Sequence, residues 1–236
     1  METAIIAHRG ASYLAKQDNT LEAFQLAIDI GADYVEFDVR QTKDEQLIVF
    51  HDNNIKGYLI SDTNYKDICE ITEKYDFKPP LLSEVLELCR GKIKLDIEIK
   101  EAGYEEKVID MVTNLFNYDS FMMKSFLDRC VFRIKHIDPK IKAGLLLSSN
   151  AVSLKKRFNN SFPEVRIKAC KADFVSPHYK LATSFFLRRM SLEEHEVYVW
   201  TVNEPRLIEK FLKKNVAGII TDKPDAGIYT KRKFYE

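Results

Sequence analysis

Two spacings of apolar residues take turns along this chain. Runs with strand character lie at Ala4–His8, Tyr34–Arg40, Ile93–Lys100, Phe121–Ser125, Lys142–Leu147, Asp173–Ser176, Val197–Val202 and Gly218–Thr221, each short and either β-rich or alternating apolar with polar. Between them fall segments with apolar residues three and four apart, the spacing of helices that bury one face. In "DNTLEAFQLAIDIGAD", Leu21, Phe24, Ala27 and Ile28 form that face, Asn19 is a candidate N-cap with Glu22 three residues on for a capping box, and Gly31 supplies the stop. "LLSEVLELCRG", "YEEKVIDMVTNLFN", "SFLDRCVFRIKHI", "LATSFFLRRMSLEE" and "EPRLIEKFLKKN" repeat the theme. Between Ser148 and Cys170 the spacing is uneven, and a short irregular helix is expected.

Strand and helix patterns in alternation predict parallel βα units. With eight strands in 236 residues and no linker or repeat, the expectation is an α/β protein of one domain over 1–236, folded as a TIM (β/α)8 barrel. A ninth strand-like run, "LIVFHD" from Leu47 to Asp52, follows the second strand after only "QTKDEQ". A parallel partner needs a crossover of about a dozen residues, so this run should pair antiparallel as a small β-hairpin arm after strand 2. The arm would carry His51 back to the C-terminal mouth, where TIM barrels keep their catalytic groups.

The polar halves of the strands are unusual. In "YVEFDVR", Val35, Phe37 and Val39 alternate with Glu36, Asp38 and Arg40, so both acids project to one side, the barrel interior near its mouth. Two carboxylates held together in a partly dry pocket require a proton or a cation between them, and a hard divalent cation suits oxygen ligands. Taken alone, the pair reads more simply as two surface acids on a half-exposed strand. "KIKLDIEIK" repeats the device on the next barrel strand, where Glu98 can complete a three-carboxylate site, Asp96 sits deeper in a structural pairing, and Lys100 is either a snorkelling strand-end lysine or a cation beside the site. At the end of the first strand, "AIIAHRG" brings a proton-transfer group (His8), a planar phosphate fork (Arg9) and a glycine (Gly10) to the same mouth.

Charge and composition narrow the partners. Thirty-six Lys and Arg cancel thirty-six Asp and Glu, which leaves no overall basic field for nucleic acid or an anionic membrane surface, so phosphate recognition must be local. The cysteines, Cys69, Cys89, Cys130 and Cys170, form no C-x-x-C pair, and neither the N-terminus nor any later run has the length of a membrane span. A reduced, cytoplasmic protein is expected. Nothing in the pattern fixes an oligomeric state.

In order along the chain, "AHRG", "NTLEAF", "GADYVEFDVRQTKD", "LIVFHD", "PLLSEVLEL", "LDIEIK", "SF" at Ser125 and Phe126, "WTVN" at Trp200 to Asn203 and "GIITDKP" at Gly218 to Pro224 resemble the glycerophosphodiester phosphodiesterase family. The resemblance implies metal-dependent hydrolysis of glycerophosphodiesters to sn-glycerol 3-phosphate and an alcohol. It implies one divalent cation, Ca²⁺ or Mg²⁺, on Glu36, Asp38 and Glu98, His8 as the group that takes the attacking oxygen's proton, and His51 as the group that protonates the leaving alkoxide. Arg9 and Lys100 would hold the phosphate, and Trp200 would line the substrate side, although a lone tryptophan at a strand end is also good core filler. His136, His178 and His195 fall outside these motifs and are expected to be structural or exposed. The chain departs from the family in having Asp18 in "QDNT" where glutamate is common, and in the stretch from Asn53 to Ile68, which should shape the headgroup pocket. The alternatives are a lysophospholipase D-like enzyme on the same barrel, and a non-catalytic barrel that binds glycerophosphodiesters.

Overall fold

Eight strands lie side by side in parallel and close on themselves in the computed structural model, which describes residues 2–150 and 153–236. The strands are β1 (Ala4–Ala7), β2 (Tyr34–Gln41), β3 (Leu47–Val49), β4 (Asn54–Ile55), β5 (Tyr58–Leu59), β6 (Lys94–Ile99), β7 (Phe121–Ser125), β8 (Ala143–Leu147), β9 (Phe174–Pro177), β10 (Glu196–Val199) and β11 (Gly218–Thr221). Around the ring the order is β1, β2, β6, β7, β8, β9, β10, β11 and back to β1, which is a TIM barrel. The helices are α1 (Leu21–Ile30), α2 (Tyr65–Glu73), α3 (Leu82–Cys89), α4 (Glu105–Thr113), α5 (Asp128–Ile137), α6 (Leu154–Ser161), α7 (Glu164–Cys170), α8 (Ser184–Leu192), α9 (Pro205–Leu212) and α10 (Pro224–Tyr235). None is long and apolar enough to cross a membrane.

The period-two pattern of the strands builds two cores. Val35, Phe37 and Val39 of β2, with Leu95, Ile97 and Ile99 of β6, face outward into the layer between barrel and helices. Inside the barrel a smaller cluster of Ile6, Met122, Phe174, Tyr198 and Ile220 fills the space below the mouth. Two glycines make room for its rings. A Cβ on Gly144 would stand 2.1 Å from the Phe174 ring, and one on Gly218 would stand 2.6 Å from the Tyr198 ring. The Tyr198 hydroxyl donates to Glu196 at 2.6 Å and accepts from Lys142 at 2.8 Å, so this end of the interior is closed by a satisfied polar network.

Helix α1 ends as expected, with Gly31 at φ +79°. Its start differs. Thr20, not Asn19, is the N-cap, accepting from the Ala23 amide at 3.2 Å; Asn19 lies one residue outside and turns its side chain into the barrel mouth. Between Ser148 and Cys170 stand two helices, α6 and α7, where a single irregular one was expected, and residues 151–152 of that stretch lie outside the described residues.

The arm is larger than a hairpin. β3 pairs antiparallel with β2, Val39 opposite Val49, as anticipated. The chain then forms the β4–β5 hairpin, turning through Lys56 and Gly57 at φ +53° and +92°, and continues into α2, which the apolar spacing had not disclosed. Ile48, Ile55, Ile60 and Ile68 give this region a small core of its own.

Gly144→Ala forces a methyl group into the buried Phe174 ring. The expected result is a destabilisation of about 1–3 kcal/mol, read as a lower midpoint in urea, and an unchanged midpoint would refute the packing described for the interior.

Candidate active site

Strand register decides which charges meet. β2 and β6 pair with Glu36 opposite Asp96 and Asp38 opposite Glu98, so four acids line adjacent strands on the inner side. Glu36, Asp38, Asp96 and Glu98 are all buried. Lys124, from the inner side of β7, is buried with them and places Nζ 2.6 Å from Asp96 and 3.3 Å from Glu36. Lys100, just past β6, sets Nζ 2.6 Å from Glu98 and 3.1 Å from Asp38. The expected pairing role of Asp96 is therefore present in the geometry, with Lys124 as a partner that had not been singled out.

Toward the mouth, Glu36, Asp38 and Glu98 each present an oxygen within 4.8 Å of the others. This donor set fits a hard divalent cation, because all three ligands are carboxylates and the interior holds two more carboxylates than ammonium groups. Burial pushes Glu98 up to about 7 even though Lys100 opposes it, and burial likewise pushes Asp96 up to about 6 against Lys124. Asp38 goes the other way, since the cations Lys100 and Arg9 outweigh its burial and hold it well below the usual carboxylate range.

His8 follows β1 directly. Its Nδ1 lies 2.6 Å from Asp222 Oδ1 and its Nε2 lies 3.9 Å from Glu36. Burial alone would lower the His8 pKa, but the Glu36 carboxylate and the hydrogen bond to Asp222 raise it above its ordinary value. Asp222 is itself held at about 2, because its bonds to His8, Asn203 and Ser12 outweigh burial. Asn203 donates to Asp222 Oδ2 at 2.6 Å and accepts from the Asp222 amide at 2.9 Å, which ties the "WTVN" and "TDKP" segments together behind the imidazole.

Arg9 and Gly10 make the tight turn after β1, both with positive φ, of 55° and 83°. A Cβ at Gly10 would lie 2.6 Å from the Ala23 backbone, so only glycine lets this turn sit against α1. The turn aims the Arg9 amide at Glu36, 3.0 Å away, and sends its guanidinium to Asp18 at 2.9 Å and toward Asp38 at 3.4 Å. Asp18 thus reaches Arg9 despite its shorter side chain. The atom nearest Asp38 is Arg9 Nε, buried and in an ion pair without a well-formed hydrogen bond. Asn19 donates to Asp38 at 2.8 Å, which explains its absence from the helix cap.

His51 arrives on the arm, two residues past β3. Phe50 donates its amide to the Asp38 carbonyl at 2.9 Å, and Arg40 grips the His51 carbonyl with Nε at 2.9 Å and Nη2 at 2.6 Å. The His51 ring pairs with Asp52 at 2.7 Å, and burial together with nearby Lys100 lowers its pKa. Trp200, one residue past β10, donates to the Ser176 carbonyl at 2.7 Å and stands edge-on to Phe126 and to His178, with ring centres at 5.6 and 5.3 Å. His178, which no motif had marked, is thus part of an aromatic wall around Trp200.

Asn19, Lys124, Asp222 and Asn203 had not been singled out for the site. A lysine inside the apolar strand "FMMKS" was the available signal for Lys124, whereas the roles of Asp222 and Asn203 depend on distant segments meeting.

Known proteins resemble this chain along nearly its whole length. A glycerophosphodiester phosphodiesterase of Caldanaerobacter subterraneus subsp. tengcongensis is 30% identical, with 99% of each chain covered. Lysophospholipase D GDPD1 of Rattus norvegicus is 26% identical, over 93% of this chain and 83% of its own. The crystal structure of a glycerophosphodiester phosphodiesterase from Thermotoga maritima superposes with a TM-score of 0.78 at 26% identity, covering 97% of this chain and 98% of its own. Residues 8–226 match the profile of the glycerophosphoryl diester phosphodiesterase family, and the chain belongs to that family.

Proposed function

We propose that this protein hydrolyses glycerophosphodiesters to sn-glycerol 3-phosphate and an alcohol at the mouth bounded by β1, β2, β6 and the arm. The observation that carries the reading is the convergence of three carboxylate oxygens within 4.8 Å, with Lys100 and Arg9 in ion pairs to the same acids. The activity named for the Caldanaerobacter relative supports it. In this reading Glu36, Asp38 and Glu98 hold one divalent cation, which when bound supplies Lewis acidity to the phosphoryl group. Arg9 offers its guanidinium, and Lys100 its ammonium, to the non-bridging oxygens as charge grows on them.

Asp222 fixes the proton of His8 on Nδ1, which leaves Nε2 to accept the proton of the attacking oxygen. His51, oriented by Asp52, gives its proton to the departing alkoxide. In the free protein the proton affinities run against these roles, since the base His8 is raised and the acid His51 is lowered. Ligand charges would oppose one cause of each. A cation held by Glu36 would offset the carboxylate that raises His8, and a phosphodiester anion near Lys100 would offset the cation that, after burial, lowers His51. A second reading, cleavage of lysophospholipids in phospholipase D fashion, is favoured by the name of the Rattus norvegicus relative and by the aromatic wall of Trp200 and Phe126.

A coupled assay for glycerol 3-phosphate tests the first reading on glycerophosphocholine, glycerophosphoethanolamine and glycerophosphoglycerol, each with and without EDTA. Release that EDTA and Glu36→Ala both abolish is expected; silence on all three, with choline released from lysophosphatidylcholine, selects the second reading. His8→Ala and His51→Ala should each lower kcat by about 100-fold or more on glycerophosphocholine. On a glycerophosphodiester with a p-nitrophenol leaving group, which needs no acid, His51→Ala should regain most of its rate and His8→Ala should not; the reverse outcome would exchange the two roles. Asp222→Asn removes a charge that raises His8, so neutral His8 persists to lower pH and the acid limb of kcat/KM should move down in pH. An unmoved limb would detach Asp222 from the reaction.

A further inference from the structure

We propose that the outer face of α6 and α8, beside the mouth, docks on an anionic lipid surface. Charge is unevenly placed in this neutral chain. Residues 154–189 hold nine Lys and Arg (Lys155, Lys156, Arg157, Arg166, Lys168, Lys171, Lys180, Arg188, Arg189) but only two acids, Glu164 and Asp173. The remainder is correspondingly acidic.

Aromatic side chains stand exposed in the same segment. Phe158 is 63% exposed, Phe185 64% and Phe162 42%. They form one patch, because Phe158 stacks on Phe162 at 4.8 Å and the Arg189 guanidinium lies 4.4 Å from the Phe162 ring and 5.3 Å from the Phe185 ring. The acids near the patch are already matched. Glu164 is bonded to Arg189, and Asp128 is bonded by Arg166. Arg157, Lys168 and Arg188 are exposed, with no ion pair among the described residues.

The patch runs into the mouth. Arg166 bonds Asn160 and reaches the Phe126 carbonyl at 3.5 Å, and Phe126 packs on Trp200. Exposed aromatic rings interleaved with unpaired basic side chains match the boundary of headgroups and acyl chains in an anionic leaflet, where rings bury and each cation gains from the surface potential. A protein partner of acidic character would use the charges but would not need several bare rings beside the site entrance. Docking in this way would turn the mouth toward the membrane. The inference stands apart from the hydrolytic reading.

Vesicle co-sedimentation of the full chain tests it, with pure phosphatidylcholine vesicles set against vesicles containing phosphatidylglycerol. Binding to the anionic vesicles alone, weakening as salt rises, is expected. Phe158→Ser with Phe185→Ser, and separately Arg157→Glu with Arg188→Glu, should each weaken it by about tenfold or more, while turnover of glycerophosphocholine in solution stays at the parent level. Absence of binding by the parent, or undiminished binding by the charge-reversed variant, overturns the proposal. So does sedimentation velocity showing lipid-free self-association that the phenylalanine variant abolishes, since the face would then join two copies of this chain. Should the phenylalanine variant fail to fold, the charge variant, confined to exposed positions, decides. Vesicle binding without turnover would sink the hydrolytic reading and leave this one standing.

Discussion

Everything at the mouth depends on keeping four carboxylates inside a barrel. Burying an ionised acid is expensive unless an opposite charge or hydrogen bonds replace the lost water. Glu36, Asp38, Asp96 and Glu98 share the interior with Lys100 and Lys124, and the two lysines do not fully offset them. Burial first, and the neighbouring carboxylates after it, raise the proton affinity of Asp96 and Glu98 against Lys124 and Lys100, and the uncompensated acids suit the upper part of the cluster to a dication. Fold and proposed chemistry therefore share one cause. The lysines allow the acids to be buried, and their shortfall makes the acids receptive.

The lysines divide the task by depth. Lys124 binds Asp96 and Glu36 from below with both ends of the pairing buried, which makes it part of the barrel's packing as much as of the site. Lys100 lies nearer the opening, and Arg9 is held there by a turn that only Gly10 can accommodate. Groups that are rigid because they are buried thus support groups that face incoming ligand, and His8 is supported the same way by Asp222 and Asn203.

Much of this was readable before any coordinates. Alternation in "YVEFDVR" and "KLDIEI" placed the acids inward because a strand has no other way to bury Val35, Phe37, Leu95 and Ile97 on one side. Short spacing forced "LIVFHD" to return antiparallel. What escaped depended on competition or distance. Asn19 and Thr20 can each cap a helix, and only the presence of Asp38 beside Asn19 decides between them. α2 escaped because its apolar positions serve a small core shared with Ile48 and Ile55 of the arm, not the main barrel layer. Asp222 and His8 are 214 positions apart, and only closure of the barrel between β1 and β11 makes them neighbours.

The arm carries one further implication. Its base is anchored where Arg40 clasps the His51 carbonyl and pairs with Glu101, and where the Phe50 amide bonds the Asp38 carbonyl. Its outer part, from β4 through α2, packs Ile55, Ile60 and Ile68 on Ile48 of β3, apart from the main barrel layer. Anchoring and elaboration are therefore separable, and descent, or a protein engineer, can exchange the segment between Asn53 and Glu73 for that of a relative without displacing the imidazole at its root.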